Sequence, residues 1–441
     1  MGEAWDFWVM AGILLFFGYL TGCLRWRCRL EGNGIVGFVF GGGVHILVIN
    51  SGSSSIKFSM FEAGEGELRS LFEGEVTGIG GAKAGFKFRD ASGRDLSGGR
   101  SSVKADTPVE AIGVVVEAVS GTGLPKVEAI GYRVVHPGPK LDGHVRIDDA
   151  VMKDLAEAVE FAPLHDPAVI EVIREMMEKF PHVGHYACFD TVFHETMTEV
   201  AATYAIPVEF RERGVKRYGF HGLSCESIVR QLQRSEFGLP RRMVIAHLGS
   251  GCSVTALVEG RSVDTTMGLT PTGGVVMGTR PGDLDPGLVI YLLRHVKGDG
   301  AAALEKMLNH DAGMVALSGM ANDMKAVREA AAKGDAPARL AVDVFTRTVK
   351  KAVGGFMALM GGVDAVVFAG GIGEHDARSR AEILGGMENL GISMNSTLND
   401  APGDAVRRLS ASDSKAAVLV VPAKEDWMIA IHVSAMAQRD N

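Results

Sequence analysis

The run VHILVINSGSSSIKFSMF, residues 44–61, decides the fold. Val44 to Asn50 is short, apolar and rich in β-branched residues, as a buried strand requires. Ser51–Ser55 is a turn of glycine and serines, and Ile56–Phe61 reads as a second strand. The order strand, Gly/Ser turn, strand returns later in the chain, where Ile245–Val258 echoes Ile46–Phe58. Two copies of one unit fit a duplicated two-domain architecture with a cleft between the halves. Outward from these hairpins, Ala129–Val135, Met243–His247, Ala365–Phe368 and Ala416–Val421 are further strand-like runs. Helical patterns lie between them. One is announced by Thr107-Pro108, an N-cap followed by proline at the first helical position, and is stopped by Gly121. Others cover Asp166–Phe180, Ala336–Met360 and Ala377–Leu390. This alternation predicts an α/β protein with mixed sheets. Gly273–Gly287 reads as a long loop instead of a linker, of the kind that is functional or mobile.

Composition narrows the function. The chain has 441 residues, 46% hydrophobic and 22% charged, with 45 Lys plus Arg against 53 Asp plus Glu. That is a globular composition with a formal net charge of -8, so no global basic field exists for nucleic acid. An anionic ligand has to be held by a few local cations. Five cysteines lack metal-ligand spacing and an even count, which excludes a disulfide framework and suits a reducing cytosol. Gly32–Gly37 fits GxGxxG but leads into a strand instead of following one, so it is not a dinucleotide fingerprint; no Gly-Lys dipeptide occurs, which excludes a Walker-type loop.

Residues 1–43 do not match the rest. Phe7 to Leu24 carries no charge over 18 residues and is followed by Arg25, Arg27 and Arg29. Three readings stand: an extension produced by a start codon placed too early, a membrane anchor over 7–24 with its C-terminal side in the cytoplasm, or a loose appendage. A chain starting at Val44 is expected to fold and to be active.

Several residues suggest chemistry. The turn from Asn50 to Lys57 offers hydroxyls, backbone N–H groups and one lysine to phosphate oxygens. Glycine turns at 247–251 and 370–374 each follow an apolar run, where backbone approaches a ligand closely. Arg133 lies within an apolar strand and needs an anion or a carboxylate to offset its burial. Arg280 lies in the long glycine loop. Asp190 and His221 sit beside aromatics, in FDTVFH and YGFHG. Each is ambiguous alone, since a hairpin tip, an ion pair or a core histidine would look the same.

Together the motifs resemble the acetate/propionate kinase family from about Val44 to the C-terminus. The matching stretches are NSGSSSIKF (50–58), GYRVVHPG (131–138), APLHDP (162–167), FDTVFHETM (189–197) and RYGFHG (217–222). AHLGSG (246–251), DTTMGLTP (264–271), VMGTRPGDLDP (276–286), AGGIGE (369–374) and VPAKEDWMIA (421–430) complete them. The resemblance implies two duplicated ribonuclease H-like domains of the actin, hexokinase and heat-shock ATPase superfamily. They would span 44–189 with 427–441, and 190–426. It implies reversible phosphoryl transfer from ATP to acetate, giving acetyl phosphate and ADP, with Mg²⁺ (or Mn²⁺) as cofactor, in a cytoplasmic homodimer. By that resemblance Asp190, His221 and Arg280 are catalytic, and Arg133 and His165 bind the carboxylate. Ser53, Ser55, Lys57, His247, Leu248, Gly249, Ser250, Gly251, Asp323, Met324, Lys325, Gly371, Ile372, Gly373, Glu374 and His375 bind nucleotide. Asn50 and Glu425 hold the metal.

The chain departs from the family pattern at Tyr132, Cys225 (usually His), Pro137 (Gly), Asp166, Ser250, His375 and Lys424 (Asn), Gly273 (Glu) and Lys325 (Arg). Pro137 bears on acyl-chain preference, and Ser250, Lys325 and His375 on the nucleotide. The alternatives are a propionate or butyrate kinase, or a non-catalytic membrane-linked nucleotide sensor. Acetate is already ionised near neutral pH, so Asp190 is expected to be an orienting or metal-side group rather than to remove a proton.

Overall fold

The computed structural model describes residues 26–31, 35–40 and 43–440, apart from 53, 65–67, 82, 122 and 162–165. The stretch 7–24, read above as an anchor, lies outside the described residues. Among those described, no helix is long and apolar enough to cross a membrane. The strands in chain order are β1 (Trp26–Glu31), β2 (Ile35–Phe40), β3 (Val44–Ser51), β4 (Ser55–Ala63), β5 (Leu68–Thr77), β6 (Ala84–Asp90), β7 (Ser102–Val103) and β8 (Ala129–Val134). They continue with β9 (Val145–Arg146), β10 (Gly184–Phe189), β11 (Arg242–Leu248), β12 (Cys252–Val258), β13 (Arg261–Thr265), β14 (Ala365–Ala369), β15 (Arg407–Arg408) and β16 (Ala417–Val420).

β1 and β2 pair as an antiparallel hairpin. The remaining strands form two sheets, β7-β6-β5-β4-β3-β8-β10-β9 and β13-β12-β11-β14-β16-β15. The expected duplication is present and extends well beyond the two hairpins. In each sheet three antiparallel strands (β5, β4, β3 and β13, β12, β11) continue into two parallel ones (β8, β10 and β14, β16). A short antiparallel strand, β9 or β15, then closes that edge. The first sheet adds β6 and β7 at its other edge.

The unbroken apolar run of β3 follows from its place inside the sheet. Leu47 and Ile49 enter one core while Ile46 and Val48 enter another on the opposite face. A strand covered on both sides has no solvent face to keep polar. Helices Pro108–Val119, Asp149–Ala158 and Asp166–Lys179 cover one face of the first sheet. The other face is covered by helix Glu425–Asp440, through Met428, Ile429 and Val433. That helix follows β16 of the second sheet. Conversely, helix Gly222–Arg234 comes after β10 of the first sheet and packs on the second, through Cys225, Ile228 and Leu232. Each sheet thus lends a helix to the other, and the two lent helices touch.

The Thr107 side chain caps helix Pro108–Val119, as its sequence predicts. Two expectations need correction. The helix expected over 377–390 ends at Leu384 and resumes only as the short turn Glu388–Leu390, because Gly385-Gly386 interrupts it. The glycine turn at 370–374 is itself a short helix, Gly370–His375. The long loop does run from 273, but it gives way to helix Pro286–His295, capped by Asp285.

Candidate active site

The C-terminal ends of the strands carry the site, as expected of an open α/β sheet. Asn50 and Arg133 are the penultimate residues of β3 and β8, and Asp190 directly follows β10. Parallel pairing of β8 with β10 brings Arg133 level with Cys188, so its guanidinium reaches Asp190. Arg133 Nε donates to both carboxylate oxygens of Asp190, at 3.1 and 3.0 Å, and Nη2 also donates to Oδ2. Nη1 donates to Asn50 Oδ1 at 3.4 Å, and Glu425 Oε2 lies 3.9 Å from Nε. Asn50 Nδ2 in turn donates to Glu425 Oε2 (3.4 Å) and Asp426 Oδ1 (3.2 Å), and Ser59 Oγ donates to Asp426 Oδ2 (2.8 Å).

Burial opposes the charge on Arg133, but Asp190, Glu425 and Asp426 outweigh it and hold the guanidinium firmly protonated. The Asp190 carboxyl is pushed up by burial, with Arg133 resisting. Glu425 moves the other way. Burial alone would raise it, yet Arg133, His247, Asn50 and Lys57 bring it below the usual carboxylate range. Asp426 is raised by burial, and its neighbour Glu425 adds to that. Three carboxyl groups thus face one guanidinium, leaving an excess of hard oxygen donors that suits a divalent cation.

A second group of residues meets this one from the other sheet. His221 is the residue before helix Gly222–Arg234 and sits in the left-handed region at φ 60°. A non-glycine residue there costs roughly 1–2 kcal/mol, and such strain gathers at functional sites. Its placement is over-determined. Gly222 N–H donates to Asp190 O at 2.8 Å, and a Cβ on Gly222 would collide with that same carbonyl oxygen. His221 Nδ1 shares a 2.9 Å hydrogen bond with Ser253 Oγ, and its ring stacks on His247 at 4.2 Å. His247 Nδ1 is fixed by Ser224 Oγ at 2.7 Å. Burial, then His247, Arg133 and Arg280, holds His221 well below the ordinary histidine range, so it is a neutral imidazole. Arg280 Nη1 donates to Pro271 O at 3.0 Å. A Cβ on Gly251 would lie 3.3 Å from His221 Nε2 and 3.6 Å from Arg280 Nη1, so Gly251 marks where the glycine turn, imidazole and guanidinium converge.

The expected nucleotide segments form a continuous surface beside that point. Leu248 ends β11, and Gly249, Ser250 and Gly251 turn into β12. Asn322 Nδ2 donates to Ser250 Oγ at 2.9 Å, and Gly278 N–H donates to Ser250 O. Asp323 caps helix Met324–Ala332 by accepting from the Lys325 and Ala326 amides, with Lys325 itself exposed. Gly370 packs its backbone on Leu248. Glu374 Oε1 accepts from Gly370 N (2.9 Å) and Ala423 N (3.0 Å), tying the 370–375 turn to the loop that ends at Glu425. In that turn Gly373 is buried, Ile372 is half-buried, and Gly371 and His375 are exposed. Lys57 stands exposed on β4, opposite Asn50 in the strand register, and Ser55 begins that strand. Ser53 and His165 lie outside the described residues. His194 is a satisfied core residue, bonded through Ser262 and Phe220 O.

Sequence reasoning missed Asp426, Ser59, Ser253, Ser224 and Asn322. Asp426 could have been found as the second acid of a Glu-Asp pair opening a helix. Ser224 lies one turn beyond His221. Ser253 and Asn322 carry no local signal.

The profile of the family described as the Acetokinase family matches residues 45–431. The chain belongs to that family. It is 42% identical over 402 residues to an acetate kinase from Nitrobacter hamburgensis, covering 89% of this chain and 96% of the relative. It is 38% identical over 404 residues to one from Anoxybacillus flavithermus, covering 89% and 98%. Among solved structures it resembles Porphyromonas gingivalis acetate kinase (31% identity, TM-score 0.78) and a propionate kinase from Francisella tularensis (34%, TM-score 0.81). In both cases 89% of this chain and all of the other are covered. The two sheets are the duplicated actin-like ATPase domains of this acetokinase.

Proposed function

We propose that this acetokinase catalyses reversible transfer of the γ-phosphoryl group of ATP to acetate, giving acetyl phosphate and ADP. The observation that carries the reading is that Arg133, held by Asp190, lies near enough to His221 and Arg280 for its charge to act on both, and that those two meet at Gly251. Phosphoryl transfer is mainly a problem of position and charge. Arg133 docks the carboxylate. One carboxylate oxygen then attacks the γ-phosphorus while the bond to the bridging oxygen breaks and its electrons leave with ADP. Asp190 takes no proton: the nucleophile is already ionised, and both Asp190 oxygens accept from Arg133. Arg280 and neutral His221 meet the equatorial oxygens as charge spreads over them. The backbone turns at 247–251 and 370–375, with Asp323–Lys325 and Lys57, hold the nucleotide; Ser53, Ser55 and His165 complete the sites assigned by resemblance.

Asn50 and Glu425, with Asp426 behind them, are the residues that would hold Mg²⁺, and Mn²⁺ satisfies the same oxygen set. A divalent ion held there would offset repulsion between two anionic reactants. The lobes are taken as 44–189 with 427–441, and 190–426. Helix Pro286–His295 exposes Leu288, Ile290, Tyr291 and Leu293, and this uncovered apolar surface supports a homodimer. Buried free thiols at Cys188, Cys225 and Cys252 suit the cytoplasm.

The test is hydroxamate trapping of the acyl phosphate, with ATP, Mg²⁺ and acetate, propionate or butyrate. The highest kcat/KM is expected for acetate, with propionate within about 10–200-fold, since one methylene is worth only about 1–3 kcal/mol. No hydroxamate with any of the three acids overturns the reading, and a preference for propionate moves it to a propionate kinase.

A further inference from the structure

His144, Glu226 and His432 form a half-buried cluster that the phosphoryl transfer does not use. One ligand atom from each lies within 4.8 Å of the others. His144 sits just before β9 on the edge of the first sheet, Glu226 on helix Gly222–Arg234, and His432 on helix Glu425–Asp440. The last two are the helices that the sheets lend to one another. They lead back to His221 and to Glu425.

We propose that His144, Glu226 and His432 bind a borderline transition-metal dication of the Zn²⁺ class, and that filling this site opposes the catalytic arrangement. Two imidazoles and a carboxylate are the donor set such ions prefer over Mg²⁺. Glu226 and His432 are already in register, with Nε2 and Oε2 2.8 Å apart, where a cation would replace the shared proton. Burial would raise the Glu226 carboxyl, but His432, Arg230 and His144 bring it down, so it is ionised. Arg230 Nε lies 3.5 Å from Oε1, leaving Oε2 for the ion. The Glu226 and His432 side chains are 21% and 20% exposed, which admits water as a fourth ligand.

His144 supplies the coupling. Burial, with His432 adding, brings it down to about 3, so its ring is neutral. Phe189 N–H donates to its Nδ1 at 3.1 Å, which puts the ring proton on Nε2. A cation on Nδ1 displaces that amide. A cation on Nε2 sends the proton to Nδ1, where it faces the amide hydrogen. Either way the Phe189 amide loses its acceptor, at a cost of roughly ten- to a hundredfold in affinity. Phe189 directly precedes Asp190, so the strain falls on the residue that holds Arg133.

Binding is tested on the full chain, stripped with EDTA, by titrating Zn²⁺ against a chromogenic chelator in excess Mg²⁺. One equivalent is expected to bind, weakened at least tenfold in Glu226→Gln and in His432→Ala. Co²⁺ should give the visible absorption of a four-coordinate N/O site in the wild type only. Absence of zinc binding, or equal binding by wild type and both variants, overturns the site. Circular dichroism identifies a variant that has not folded, and the other then decides. The coupling rests on the kinase reading and is measured separately, as Zn²⁺ inhibition of turnover in excess Mg²⁺. Weaker inhibition of the variants supports it, and equal inhibition overturns it while leaving the binding result intact.

Discussion

The two sheets share six strands in one order, yet their equivalent ends present different chemistry. At the ends of β3, β8 and β10 stand Asn50, Arg133 and Asp190, with Arg133 hydrogen-bonded to the other two. β11, β14 and β16 lead into Gly249–Gly251, Gly370 and Ala423, where backbone is offered instead. In the function proposed above, the first set of ends holds the carboxylate and, with Glu425 from beyond β16, the cation, while the second set cradles phosphates. In that reading the long loop supplies charge at the transferring phosphoryl group through Arg280.

The comparison breaks first at Arg280. Arg280→Ala is expected to lower kcat by about 10³–10⁵, or roughly 4–7 kcal/mol, with little change in folding stability. Turnover within tenfold of wild type would remove Arg280 from the transition state. Next comes Arg133→Ala, which leaves Asp190 and Glu425 buried without their guanidinium. Urea unfolding at neutral pH should show a loss of about 3–5 kcal/mol. A change below about 1 kcal/mol would mean that the first half is held together by something other than this ion pair.

The smallest effect sharpens the same half. Asp166 opens helix Asp166–Lys179, is 1% exposed, and among the described residues neither carboxylate oxygen has a well-formed hydrogen bond, only the weaker pull of two nearby amides. Burial pushes it up to about 8, against the pull of the His136 and Val135 amides. An unfolded aspartate titrates near ~3.9. Between those values the native chain holds a proton that the unfolded chain has released, so stability is fully present below about pH 4 and is lost as pH rises through about 8. Asp166→Asn removes that slope. Thermal melts should show the variant about 2–4 kcal/mol more stable at pH 8, with the difference shrinking toward pH 5. Parallel pH profiles for the two proteins would show that Asp166 is ionised.

Local features were legible before the structure. The run 44–61 gave its two strands, Thr107-Pro108 gave a helix start, and the ordered motifs gave the family. Helix 377–390 was misread because its apolar spacing survives across Gly385-Gly386, while the backbone does not. The exchange of helices between sheets left no trace in sequence, since nothing in helices Gly222–Arg234 and Glu425–Asp440 names the sheet that each covers. Ser253 became visible as the partner of His221 only when β12 was placed beside that helix.

By itself the sequence determined that an arginine inside an apolar strand must find an anion, because a bare buried charge is too costly to keep. It also determined that glycine turns after buried strands bring backbone to a ligand. Tertiary structure alone decided that Arg133 finds Asp190, 57 residues on, and that Asn50 meets Glu425, 375 residues on. The cost of closing a loop grows only slowly with its length, so distance along the chain says little about which distant carboxylate arrives.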